Sequence, residues 1–329
     1  MADALLSPVT GVVMLAVAGG LTAHSVRAVR KDFNERRIPL MGVAGAFVFA
    51  AQMVNFSIPG TGSSGHIAGA VLLAALLGPA PAFLTMACVL LVQALFFADG
   101  GLLAFGCNLV NLGFFGCFIA YPYIFRPLAG NDSKPGRIMA AACVASIVSL
   151  ELGALGVTLE TLISGITKLP FAAFATAMLP IHLAIGLGEG LATGAVLLFV
   201  RKNLPDLEAA RLEDKPRSIS KLCWRFGLAA LLIGGGLSLL ASQSPDGLEW
   251  SMERITGSAE LESSGAVHTF FTRVADFFAV LPDYQLKGQD SVWSSSFAGI
   301  AGTAFCGLML ALIAYAVCFH RRKKETTGL

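Results

Sequence analysis

Long apolar runs broken by short polar segments recur along the chain, at residues 5–26, 38–56, 67–77, 80–98, 102–125, 138–158, 173–200, 223–241 and 297–319. A run of about twenty apolar residues, wound as a helix, covers the ~30 Å hydrocarbon core of a bilayer. The pattern therefore predicts an all-α polytopic membrane protein with about nine transmembrane helices, seven before residue 201 and two after it. The third run is the exception, because residues 67–77 rise only ~16 Å as a helix and cannot cross alone. Just ahead of it stands a stretch of small residues, Gly60-Thr61-Gly62-Ser63-Ser64-Gly65, and then His66. Either the helix begins part-way down and this loop dips in, or the membrane thins locally. Non-helical backbone at such depth is tolerated only where protein or a wet cavity surrounds it. His66 is thus expected below the membrane surface, facing a cavity, and is the first candidate for holding a ligand.

Charge sets the expected orientation, since short cytoplasmic loops collect Lys and Arg. With the N-terminus outside, segments 27–37, 126–137, 201–225 and 321–324 become cytoplasmic and hold 5, 3, 7 and 4 basic residues, 19 of the chain's 23. The C-terminus is then cytoplasmic too, and the His66 loop, Asp99 and the start of the helix bearing Asn108 share the outer side. Composition adds that 55% hydrophobic and 13% charged residues exclude a soluble domain of this length. The net charge of +2 gives no reason to expect a nucleic-acid partner. No cleavable signal is apparent, because the first apolar run starts almost at once and its basic flank follows it, so the N-terminus is expected to stay attached. The seven cysteines lie in or beside apolar runs, which argues against a disulfide scaffold or a cysteine zinc site.

Several polar residues interrupt the hydrocarbon. Gln52 and Asn55 share a face of the second run, Gln93 lies near the outer end of the fourth, and Asn108 and Asn111 sit three apart on the fifth. Such amides commonly satisfy one another across helices, or hold an imidazole in one orientation. In the seventh run His182 and Glu189 are seven residues apart and so share a face, and Glu151 lies in the sixth. Ionisable residues inside a membrane are functional candidates. Alternatively, His182 caps a break at Pro180, and Glu189 is protonated and bonded to a neighbouring helix. Small residues form stripes at Ala16, Gly19, Gly20 and Ala23, at Gly42, Ala46 and Ala50, and at Gly186, Gly190 and Gly194, each a face where another helix can approach closely. For the first two stripes, internal packing and docking to a separate membrane subunit both remain open. Residues 202–221 read as a charged cytoplasmic linker, and 242–294 as an outer segment rich in acidic and aromatic residues, forming a small cap or lying on membrane lipid.

No nucleotide-binding or hydrolase motif is present, and the Gly60-x-Gly62-x-x-Gly65 spacing lacks the strand and helix that a dinucleotide site requires. Any energy for transport must come from another subunit or an ion gradient.

The stretch from Gly62 through His66 and Gly69 to Gly78-Pro79, then Ala98-Asp99-Gly100-Gly101, Gly106-Cys107-Asn108 to Gly113, and Gly186 to Gly190 resembles the substrate-capturing component of the energy-coupling factor importers for nickel and cobalt. Pro245-Asp246-Gly247-Leu248-Glu249 and Pro282-Asp283-Tyr284 resemble that component's small companion subunit, here fused behind it. The resemblance covers nearly the whole chain. It implies a metal-binding seven-helix domain at 1–201, the linker at 202–221, and a two-helix companion domain at 222–329 with its outer loop at 242–294. It also implies a transmembrane coupling subunit and cytoplasmic ABC-type ATPases as partners, no enzyme activity in the chain itself, no resident cofactor, and Ni(II) or Co(II) as the bound and transported ligand. In that family the ion is held by nitrogens of the N-terminal amine, of a second-position histidine and of the loop histidine. His66 carries over directly, with Asn108, Gln93, Asp99 and His182 as possible residues behind it. The second-position histidine is absent, since the chain opens Met1-Ala2-Asp3. The expectation is a Met-His pair upstream of Met1, the competing account a site that has lost half its ligands. The readings from other classes are a self-sufficient secondary transporter or channel for another small solute, and an accessory membrane protein that binds no substrate. The former predicts inverted repeats with two matching broken helices, whereas one short run is seen.

Overall fold

The computed structural model describes residues 1–32, 38–130, 134–203, 216–259, 261, 265–287 and 291–327. A short 3-10 turn at Asp3–Leu5 leads to helix α1, Pro8–Asp32, whose first turn is capped by the Ser7 hydroxyl accepting from Thr10 N at 3.2 Å. Pro8 starts α1 without cost, because its missing N–H has no partner in a first turn. Next come α2, Ile38–Gln52, and a two-stranded antiparallel hairpin of β1, Phe56–Ile58, and β2, Ser63–Gly65, paired in register Phe56 to Gly65 and Ile58 to Ser63. The hairpin departs from a purely helical expectation. Its turn needs two left-handed residues and takes them from Gly60 and Gly62, at φ 78° and 76°, so the glycine spacing is a turn signature.

Helix α3, Ala70–Leu77, starts three residues later than the apolar run that predicted it and is eight residues long, shorter still than the 67–77 reading. Gly78 ends it, and Pro79 opens α4, Pro79–Phe96. Helix α5, Phe105–Ala129, is wound wide as a π-helix from Leu109 to Phe125. The long pair α6, Pro135–Ser164, and α7, Phe171–Asn203, packs lengthwise. The Gly186, Gly190 and Gly194 seam lies on α6, where a Cβ at Gly186 would stand 2.8 Å from Ile147 Cα. Pro180 sits inside α7 without ending it, so no break exists there for His182 to cap.

The later part adds α8, Pro216–Gly235, then α9, Gly247–Thr256, α10, Ala266–Phe278, and α11, Val292–Thr327. Two expectations need correction. Residues 216–221, read as linker, are the first turns of α8, while most of the expected linker falls outside the described residues. The apolar run to residue 241 ceases to be α-helical at Gly235, where three consecutive glycines give the chain its freest backbone, and Leu237–Leu240 form a 3-10 turn.

Among the described residues, helices occupy all nine apolar runs, and six are long and apolar enough to cross a membrane: those starting at Pro8, Pro79, Phe105, Pro135, Phe171 and Trp293. Helices α2 and the apolar part of α8, Cys223–Gly235, are shorter. The two parts of the chain share a core. The Gly42 and Ala46 stripe of α2 is covered from within by α11, a Cβ at Gly42 meeting Gly307 O at 3.0 Å, and Phe47 packs on Phe226 of α8 with ring centroids 4.9 Å apart. The α1 stripe differs, since Gly19 and Gly20 are exposed and meet nothing within 4 Å.

Candidate functional site

Hydrogen bonds gather the N-terminus, the His66 loop, the start of α5 and residues 242–268 at one end of the helical bundle. His66 stands between β2 and α3. Its Nδ1 pairs with the carbonyl of Ile67 at 3.2 Å, which leaves Nε2 to face whatever fills the space beyond. The backbone just after it is pinned from two directions. Glu189 of α7, 1% exposed, accepts from Ala68 N at 2.8 Å and from Gly69 N at 3.0 Å, while Gln52 donates to Ala68 O at 2.9 Å. Gly65 lets the loop lie against α7, because a Cβ there would collide with Ile185.

Beside this loop lies a cavity of about 110 Å³ whose wall includes Met1, His66, Asn108, Asn111, His182 and Asp246. That is space for about four waters or one partly hydrated ion. The Met1 amine donates to Asn108 Oδ1 at 2.9 Å, and Asn108 Nδ2 donates back to Met1 O at 3.2 Å. The segment behind Met1 is threaded into the protein: Leu5 and Leu6 are fully buried, Asp3 Oδ1 accepts from Ala104 N at 2.8 Å, and His268 Nε2 pairs with Leu6 O at 2.9 Å. Burial raises the Asp3 carboxyl above its ordinary value, against the pull of the Ala104 and Leu103 amides. His182 presents its ring to the cavity while Nδ1 pairs with Met178 O at 2.8 Å, so its Nε2 too is left free of the backbone.

Asp246, Gly247 and Leu248 supply a further part of the wall. Pro245-Asp246-Gly247-Leu248-Glu249 is a helix-capping sequence: Asp246 Oδ1 accepts from Leu248 N and Glu249 N, each at 2.8 Å, and Glu249 Oε2 accepts from Asp246 N at 3.1 Å. The start of α9 so fixed is bonded to the hairpin, with Ser64 N donating to Pro245 O at 2.8 Å, Ser64 Oγ to Ser244 O at 2.7 Å, and Trp250 Nε1 to Thr61 O at 3.0 Å. Gly247 faces the cavity at close quarters, since a Cβ there would stand 3.0 Å from both His182 Cε1 and Ile185 Cδ1.

Of the residues singled out in the sequence, His66, Asn108 and His182 therefore share one cavity, whereas Gln93 and Asp99 do not line it. Those two meet Tyr284, which donates to Asp99 Oδ2 and accepts from Gln93 Nε2 at 3.2 Å. Glu160 falls two residues beyond the sixth apolar run, so the apolar pattern does not single it out; it is buried and accepts from Asn111 Nδ2 at 2.8 Å behind the cavity wall. In the sequence, Asp246 stands out only as part of the Pro245 to Glu249 motif. Among the described residues no three His, Cys, Asp or Glu side chains converge to hold a metal by themselves.

Residues 1–207 match the family described as "Cobalt uptake substrate-specific transmembrane region", and residues 220–319 match the "PDGLE domain". The chain is 31% identical to the fused nickel transport protein NikMN of Rhodobacter capsulatus, over 86% of this chain and 87% of that one. It is 32% identical to the cobalt transport protein CbiM of Sorangium cellulosum, over 51% of this chain and 75% of the other. A crystal structure of a transition metal transporter superposes with a TM-score of 0.54 at 29% identity, covering 61% of this chain and 92% of its own.

Proposed function

Because the chain belongs to the family of cobalt uptake substrate-specific transmembrane regions and carries a PDGLE domain behind that region, we propose that it captures a divalent metal ion, nickel or cobalt, as the substrate-binding component of an energy-coupling factor importer. It is a multi-pass membrane protein, on this reading of a bacterial or archaeal cell membrane with its N-terminus outside and its C-terminus in the cytoplasm.

The observation that carries the reading is the cavity that His66, His182 and Met1 all line. Each imidazole has Nδ1 against a backbone carbonyl, at 3.2 Å for His66 and 2.8 Å for His182. That is the arrangement by which a ligating histidine is held in one tautomer with Nε2 available. His66 is the proposed ligand carried by the loop, with nitrogen from the N-terminal segment beside it, and Asn108 steadies that segment. Nitrogen donors suit Ni(II) and cobalt better than Mg(II) or Ca(II). Nickel is favoured because relatives alike over most of this chain, that of Rhodobacter capsulatus among them, are named as fused nickel transport proteins. The metal is cargo, and the chain's part is to bind, orient and release it. ATP hydrolysis falls to separate cytoplasmic ATPases acting through a transmembrane coupling subunit.

Calorimetric titration of the purified full chain with Ni(II) and Co(II) tests this. His66→Ala is expected to weaken binding at least about 100-fold, and His182→Ala less, at unchanged thermal stability. If His66→Ala binds as the parent does, the reading fails; if His182→Ala proves the more damaging, the wrong imidazole carries the ion.

A further inference from the structure

We infer that Tyr284, a residue of the outer segment outside the cavity wall, positions the loop of His66 through a relay of two glutamines, on the reading that His66 is a metal ligand. Tyr284 gives its only proton to Asp99 Oδ2, so its oxygen is free to accept from Gln93 Nε2 at 3.2 Å. Gln93 Nε2 gives its other proton to Gln52 Oε1 at 3.0 Å, and Gln52 Nε2 donates to Ala68 O at 2.9 Å, two residues past His66. Both glutamines are 6% exposed, so water does not stand in for a lost partner.

A carboxamide can turn half a circle and exchange its oxygen for its nitrogen unless its partners forbid it. Here each turn is forbidden in sequence. A turned Gln52 would set oxygen against the Ala68 carbonyl and nitrogen against the Gln93 amide. A turned Gln93 would set oxygen against Gln52 Oε1 and would need the phenol proton that Asp99 holds. Asp99 thus orients Tyr284, Tyr284 orients Gln93, Gln93 orients Gln52, and Gln52 fixes the Ala68 carbonyl while Glu189 fixes the adjacent N–H groups from the other side.

Tyr284 is seated with equal care. Asp283 and Tyr284 are both left-handed, at φ 50° and 57°, a conformation rare for consecutive residues with side chains. Asp283 N donates to Phe97 O at 2.9 Å, Leu281 N to Phe96 O at 3.0 Å, and the phenol ring stacks on Phe97 with centroids 4.7 Å apart and planes at 23°. This latch forms only when residues 281–284 dock on the end of α4. Docking of the outer segment and the posture of the His66 loop are therefore one event.

Tyr284→Phe keeps the stacked ring and removes the hydroxyl alone. Hydrogen–deuterium exchange of the full chain is expected to accelerate about fivefold in peptides covering 63–70 and not in those of α6, with the thermal midpoint little moved. Gln52→Met is expected to give the same acceleration, and the double variant no more than either single one. Ni(II) affinity should fall about fivefold to tenfold alongside. Unchanged exchange at 63–70 in Tyr284→Phe overturns the relay, as does an additive double variant. Parent-like Ni(II) binding by His66→Ala would overturn the metal reading instead, and the exchange comparison judges the relay without it.

Discussion

Met1 and Asn108 hold each other at two points, the amine donating to Asn108 Oδ1 at 2.9 Å and Asn108 Nδ2 donating to Met1 O at 3.2 Å. One of the two bonds is charge-assisted and both lie at the cavity edge, so their loss is worth about 2 kcal/mol. Asn108→Leu is expected to release the N-terminal residue and to weaken Ni(II) binding more than tenfold, about the equivalent of that energy, with the thermal midpoint falling modestly. A Met-His pair added ahead of Met1 should act in the opposite sense, because an amine, an amide and an imidazole in succession close two chelate rings on one ion. Equal affinities of the chain with and without the added pair, by calorimetry, would refute the placement of the N-terminal segment at the ion.

Glu189 makes a second prediction. Both of its oxygens accept backbone N–H groups just ahead of α3, at 2.8 and 3.0 Å, from a fully buried position on α7. Glu189→Gln replaces one acceptor by a donor that faces a donor, leaving a buried N–H unpaired at a cost of about 1–3 kcal/mol. The variant should melt earlier in detergent and bind Ni(II) more weakly, and Glu189→Ala should do both to a greater degree. A parent-like melting profile for Glu189→Gln would mean the loop is held by other means.

The helical runs and the unusual position of His66 follow from local properties: apolar length, and one imidazole among small residues. Glu189 was visible as an ionisable residue in hydrocarbon, but its role was not, since its partners lie about 120 positions away and are backbone groups that carry no signal in their side chains. The sequence groups Gln93 and Asp99 with His66 by depth alone. Depth fixes one coordinate of three, and the true neighbour of both is Tyr284, almost 200 residues on. The wide π winding of α5 left no trace in its apolar pattern. The place of residues 246–248 in the cavity wall is equally hidden in the sequence, because Ser64 and Pro245 meet only through tertiary packing. A capping box could have been read from Asp246 and Glu249 three apart, and it would have placed a helix start at Gly247.

Asp3 makes stability depend on pH. Its carboxyl lies outside the spans, and burial raises it above its unfolded value, so the folded protein binds this proton more tightly than the unfolded chain does. Stability from this group is therefore greatest below the unfolded value, declines as pH rises through the window up to the raised folded value, and is constant above it. Asp3→Asn keeps an oxygen for Ala104 N and removes the charge. The difference in chemical stability between Asp3→Asn and the parent should grow in favour of the variant across that window and then level off. A difference that shrinks as pH rises would show that the amide hydrogen bonds outweigh burial.

The last prediction concerns Gly247, where the outer segment comes nearest to the cavity. A Cβ at this position would stand 3.0 Å from His182 Cε1 and Ile185 Cδ1 and 3.1 Å from Ile181 Cγ2, tighter than ordinary contact, so a branched side chain cannot be seated without moving α9 away. The bonds from Ser64 to Ser244 and Pro245 lie directly beside it and would be strained or lost by the same movement. Gly247→Val is therefore expected to open the cavity rather than unfold the bundle. The membrane helices keep their packing, while bound Ni(II) leaves at least about tenfold faster in a chelator-chase experiment, since each lost contact of this kind acts mainly on the off-rate. His268→Ala provides the control. His268 lies in the same segment but bonds Leu6 O and does not line the cavity, so it should loosen the segment slightly and leave the metal's absorption spectrum unchanged. If Gly247→Val releases metal no faster than the parent, α9 is a bystander at the cavity; if His268→Ala shifts the spectrum, the segment reaches the ion by a route that this geometry does not contain.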